Sequence, residues 1–225
     1  MNRANSLKTS INLLPLNLLP SGFVLIQTSL GTKFTQNSLI IKFRELKYFN
    51  NVKSTGSGYT PPFNCCYNME YVNTDNFTDV QGNIANVGVS GGPFQRTKIV
   101  NLYLPNLVSV GQYAFKCWSI SGADAGKSAL RIVVIGKNFT TISNSYAFSY
   151  SEKVDFFIYA KTPATGRALY RTGFNLKYIY VPNSTLDDYK AAPAFANWVS
   201  YIKPLSEYTG EKPWEDLYPE ELGLI

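Results

Sequence analysis

The chain has no histidine among its 225 residues. That absence excludes Ser-His-Asp and Cys-His catalytic sites, a histidine proton shuttle and any zinc site that uses imidazole. A hydrolase would have to work with paired carboxylates, Lys or Tyr. The expectation is therefore a protein that is not an enzyme, with no catalytic residue, cofactor or metal. Cysteine is nearly as scarce. Of the three present, Cys65 and Cys66 are adjacent and Cys117 stands alone. Such a set cannot form a disulfide framework, and it points to reduced thiols in a protein made in a cytoplasm. Long apolar runs are missing too. The most apolar stretch, residues 11–20, is interrupted by Asn12, Pro15, Asn17 and Pro20. It is too short and too broken to span a bilayer, and no small-residue cleavage site follows it. The opening segment is expected to be retained and not inserted in a membrane.

What is present describes a folded chain. Hydrophobic residues make up 45% and charged residues 16%, the balance of a globular protein. The length allows one large domain or two small ones, each with a core of its own. Aromatics reach 15%, mostly Tyr and Phe, and these favour strands. The net charge of +6 is unevenly spread. Residues 1–60 hold seven basic side chains against Glu45, whereas residues 206–225 hold six acids against Lys212. A chain basic at one end and acidic at the other can associate head to tail or offer each end to a different partner. The basic residues are dispersed and carry no recognisable nucleic-acid motif, so no nucleic acid is expected as a partner.

Residues 1–20 read as an extended arm punctuated by proline, with Leu13, Leu14, Leu16, Leu18 and Leu19 as apolar contacts for a partner. Residues 21–68 read as a β-rich anchoring region, with strands expected at 22–29 and 39–49 and a turn-rich stretch at 50–64. From about residue 69 an internal repeat emerges. Residues 97–115 are echoed by 129–148: Leu102 and Leu104 match Val133 and Ile135, Val110 matches Ile142, and residues 113–115 match 146–148. Shorter units begin at Val154 and Leu176, and residues 69–77 look like a worn first one. Each unit is expected to supply one strand, a turn and an apolar anchor, Phe115 or Phe148, and to share its core with its neighbours. Residues 186–204 repeat apolar side chains at helical spacing and are expected to form a terminal helix.

Several short motifs invite chemistry. Residues 122–128 suggest a phosphate-binding loop, but the spacing is one residue short and a strand follows where a helix N-terminus is required. Asn76, Asn138 and Asn183 sit in glycosylation-type triplets without a secretory signal. Asp187-Asp188 and Glu220-Glu221 read as solvated acids. The tail, residues 206–225, carries Trp214, Leu217, Tyr218 and Ile225 among its acids. Too short to hold its own core, it is expected to pack on a neighbouring chain or on the basic N-terminal region.

Residues 102–105, 107–111 and 113–117, with the closing elements at 179–182, 189–191, 198 and 201–204, resemble the BspA-type leucine-rich repeats. That family is found in surface proteins of gut anaerobes and in their phages. Gly136 stands where the family's strand-end proline would be, and Tyr150 where the first unit has Cys117. The resemblance implies a mainly β fold. In it an N-terminal β-rich anchoring region is followed by an irregular leucine-rich-repeat solenoid over residues 69–205, with a C-terminal helical cap and then the tail. It also implies a structural or binding component of a phage virion, capsid- or tail-associated. Such a component would meet other virion proteins or identical copies through both termini. The alternative is a bacterial surface or secreted adhesin module that holds a host protein or glycan.

Overall fold

The structure is a computed structural model and describes residues 39–44, 52–53, 63, 66–80, 92–94, 96–115, 129–148, 154–169 and 177–225. Among these residues the strands are β1 (Lys42–Phe43), β2 (Val52–Lys53), β3 (Tyr71–Val72), β4 (Phe77–Val80), β5 (Asn101–Leu104) and β6 (Ser109–Val110). They continue with β7 (Ile132–Ile135), β8 (Thr141–Ile142), β9 (Asp155–Ile158), β10 (Thr165–Gly166), β11 (Ile179–Val181) and β12 (Ile202–Pro204). The helices are few and short: α1 (Leu186–Ala191), α2 (Pro213–Leu217) and α3 (Pro219–Leu222), beside some 3-10 turns. No described helix is long and apolar enough to cross a membrane.

One sheet has the order β10-β8-β6-β4-β2, a second has β12-β11-β9-β7-β5, and β1 pairs with β3. Every pairing is parallel. From β4 to β11 consecutive strands alternate between the two larger sheets, so each parallel neighbour is reached through the opposite sheet. The internal repeat sets the register. Leu102 faces Val133 and Leu104 faces Ile135 across β5 and β7, while Val110 faces Ile142 across β6 and β8. These side chains meet in one core, closed by Phe63, Phe77, Phe115, Phe148 and Phe156.

The second sheet and the tail explain why several strands do not alternate. Val133 and Ile135 point into the core, but Val134 between them is also buried, and so is the whole of β9. Strands of a parallel sheet covered on both faces read as continuous apolar runs. The outer cover of this sheet is the chain's own residues 205–222: Val134, Phe157, Tyr159 and Tyr180 form a cluster with Trp214 and Leu222.

The expected mainly β fold, an anchoring region followed by a leucine-rich-repeat solenoid with a helical cap, does not form. In its place stand parallel-strand sheets of α/β-like character with few helices. One reason is that the repeat was read as one strand per unit. Residues taken for its turns, Ser109–Val110 and Thr141–Ile142, are strands of the β10-β8-β6-β4-β2 sheet. Another lies at residues 186–204, where the apolar spacing suits a helix but the chain contains Pro193. Proline has no N–H to donate and its ring clashes with the preceding turn. The helix stops at Ala191, a 3-10 segment runs over Pro193–Tyr201, and β12 rejoins the sheet beside β11. Across residue 68, β1 pairs with β3 and β2 with β4, so the described strands of the two expected regions share sheets. Of the strand expected at 39–49, Lys42–Phe43 is the part that forms among the described residues. The arm, the strand expected at 22–29, Cys117 and the loop at 122–128 lie outside the described residues.

Gly136 ends β7 for a steric reason. A Cβ there would lie 1.8 Å from the Pro105 carbonyl oxygen and 3.0 Å from the Glu221 carbonyl oxygen. The Gly136→Ala variant should lose about 1–3 kcal/mol, as over-filled sites do, read as a lower urea midpoint. An unchanged midpoint would contradict the close approach of the three segments.

Candidate binding cleft

Beyond the edge of the second sheet, β5 does not pair with β3, but the segments that carry the two strands are joined by hydrogen bonds. They are tied at both ends. On one side Lys98 N–H donates to the Met69 carbonyl at 2.8 Å. On the other, the Thr74 hydroxyl donates to the Tyr103 carbonyl, and Asn106 Nδ2 donates to the Asp75 carbonyl at 2.9 Å. Between the ties a cleft of about 590 Å3 opens. Glu70, Tyr71, Val72, Thr74 and Asp75 line one side, and Lys98, Val100, Asn101 and Tyr103 the other.

The corner at residues 73–75 is built by its own sequence. Asn and Asp side chains bond to nearby backbone and fix tight turns. Here Asp75 N–H donates to Asn73 Oδ1 at 3.2 Å, and Asn73 Nδ2 returns a bond to Asp75 Oδ2 at 2.9 Å. Asp75 Oδ1 is reached from the tail, whose Tyr218 hydroxyl donates to it at 2.9 Å. Both carboxylate oxygens of Asp75 therefore serve to hold the wall. Tyr218 itself lines the cleft and sits edge-on to Tyr103, 6.1 Å between ring centres.

The tail reaches that position through a continuous set of contacts. Trp214 is 1% exposed and lies 4.7 Å from Phe157 and 6.0 Å from Tyr103 between ring centres. Its indole N–H donates to the Tyr159 hydroxyl at 2.8 Å, and that hydroxyl donates to Glu215 Oε1 at 2.6 Å. Lys212 sits 3.1 Å from the same carboxylate oxygen. Farther along, Lys137 donates its backbone N–H to the Glu221 carbonyl at 2.8 Å and its ammonium to the Glu220 carbonyl.

Of the residues expected to meet a partner, the structure places Trp214 inside its own chain and Tyr218 in the cleft wall. Leu217, at 61%, and Ile225, at 82%, face outward. Leu13, Leu14, Leu16, Leu18 and Leu19 lie outside the described residues. The tail is expected to pack on a neighbouring chain or on the basic N-terminal region, and the surface that buries Trp214 in this structure is that of its own chain's second sheet. Sequence reading named Tyr218 and missed the rest of the cleft. One signal was present: the non-alternating runs 132–135 and 156–159 imply a cover on the outer face.

Five tyrosines of the fold hold their protons above the ordinary tyrosine range. Burial, then the Glu215 hydrogen bond, holds the Tyr159 hydroxyl far above the ordinary tyrosine value, and burial with the Asp75 bond does the same for Tyr218. Burial and the Asp155 charge push Tyr180 up to about 12, and burial raises Tyr103 and Tyr189. A hydroxyl whose folded-state value lies above its unfolded value of 10.0 stabilises the fold fully below that pH. The contribution is lost as pH rises through the folded-state values. Stability should accordingly hold up to about pH 10 and then fall, with tyrosinate absorbance and loss of circular dichroism rising together. Tyrosinate formation by these residues in an intact fold near pH 10 would contradict it.

No family model, no curated protein and no solved structure matches the chain.

Proposed function

We propose that this chain is a non-enzymatic binding protein and that the cleft between β3 and β5 is where it takes its ligand. The observation that carries this reading is how the cleft is held. Each carboxylate oxygen of Asp75 accepts one hydrogen bond, from Asn73 or Tyr218, and Tyr103 and Tyr218 hold their protons above the ordinary tyrosine range. Groups committed to fixing a wall suit recognition better than proton transfer, which needs an acid or base near its working pH. Binding clefts combine a largely preformed apolar surface with a few placed polar groups, and this one offers tyrosine rings beside an amide and opposed charges. The setting we propose is a virion or bacterial cell surface, where such a module presents its cleft outward.

A fragment screen against the 15N-labelled chain tests the reading. Hits should shift the backbone amides of Tyr71, Asn101, Tyr103 and Tyr218 as one group. Hits scattered over the surface, with none at these amides, would contradict it.

A further inference from the structure

We infer that the ligand of this cleft is a neutral saccharide, an inference that rests on the binding role proposed above. Three properties of the site select that class. The first is shape. An extended peptide inserted as a strand between β3 and β5 would need both edges free over several residues, with about 4.8 Å on each side. The Met69–Lys98 and Thr74–Tyr103 hydrogen bonds draw the edges together at both ends, and β3 is two residues long. The cleft therefore admits a compact ligand from outside and not a strand.

The second property is charge. Glu70 and Asp75 face Lys98 across the opening. The Arg44 guanidinium lies over the Tyr71 ring, 5.9 Å from its centre, so two carboxylates stand against two cations. That balance favours a neutral ligand, because a phosphate or a polyanion calls for an excess of converging cations. Asp75 is held in place by Asn73 and Tyr218, so the freer groups at the mouth are one acceptor-only group, Glu70, and one donor-only group, Lys98. Asn101 adds an exposed amide to the lining. A carboxylate, an ammonium and an amide side by side match a ligand whose neighbouring groups both donate and accept, as the hydroxyls of a sugar ring do.

The third property is the aromatic surface. Tyr71 is 42% exposed on β3 with the Arg44 guanidinium over one face of its ring, and Tyr103 is half-buried on β5. The face of an aromatic ring carries partial negative charge and attracts the polarised C–H groups that a pyranose presents on one side. A sugar ring thus finds in one cleft an aromatic platform for its apolar face and donors and acceptors for its rim.

The test uses the intact 15N-labelled chain with cellotriose, maltotriose, mannotriose and the trimer of N-acetylglucosamine. A hexapeptide of alternating Val and Thr serves as the competing probe. At least one trisaccharide should shift the amides of Tyr71, Asn101 and Tyr103 saturably. Tyr71→Ala and Asn101→Ala should each weaken that binding about tenfold or more. Both positions are exposed, and an unchanged amide spectrum away from the cleft confirms that the variants fold. If the peptide shifts these amides and no saccharide does, the saccharide class is wrong while the cleft stands as a binding site. If neither the probes nor the fragment library shift them, the saccharide and the binding role fall together.

Discussion

Replacing Trp214 by Ala should release the tail and cost about 3–5 kcal/mol, the range for emptying a large aromatic core site. The side chain is fully buried, packs on Phe157 and Tyr103, and supplies the N–H that orients the Tyr159 hydroxyl toward Glu215. Its loss removes packing and the one hydrogen bond that the Tyr159 hydroxyl accepts, leaving that hydroxyl bonded to Glu215 alone. The tail is a peripheral element, so the response should include local release. Amide protons across residues 206–225 should lose protection from exchange while β7 and β9 keep theirs. The cleft should also weaken, although Trp214 does not line it, because Tyr218 is carried by the same segment. Leu217→Ala is the contrast. That side chain faces solvent, and its removal should stay within about 0.5 kcal/mol. A tail that docked on another chain through all its apolar residues would make both substitutions costly for association and neither costly for the isolated chain.

Phe148→Ala should lower stability by a similar amount, about 3–5 kcal/mol, but by a different route. Phe148 stacks on Phe156 at 4.4 Å between ring centres and meets Phe115 edge-on at 5.4 Å and Trp198 at 6.3 Å. It therefore joins two successive repeat units to the segment that follows α1. Unlike the Trp214 variant, this one should unfold as a whole, with a lower urea midpoint and no separately released segment. Because Phe148 and Phe156 touch, the double variant should cost less or more than the two singles together, by about 0.5–3 kcal/mol. Strict additivity would show that the rings do not share the contact described.

These two sites also show what the sequence made legible. The strands near residues 102, 133, 156 and 180 and the anchors Phe115 and Phe148 could be read from the repeat, because burying one face of each unit leaves a periodic trace. The β10-β8-β6-β4-β2 sheet could not. Its strands β6, β8 and β10 are two residues long, too short for any alternation to appear. The helix expected over 186–204 had the right spacing, but a single proline outweighed it. The tail's destination was half visible. Val134 and Phe157 sit where outward positions are usually polar, which signals a cover, yet nothing local says that the cover is the same chain's Trp214. The cleft was the least legible part. It joins residues 70–75, 98–103 and 218, and only folding brings those distant stretches together.

The Trp214 prediction, and the cleft itself, depend on the tail lying on its own chain's sheet. The direct measurement is an isotope-filtered nuclear Overhauser experiment on an equal mixture of 15N-labelled and 13C-labelled chains. Contacts between the Trp214 indole and the Tyr159 ring, and between the Tyr218 ring and Asp75, should appear within like-labelled chains at every protein concentration. Finding those contacts only between differently labelled chains would contradict the account.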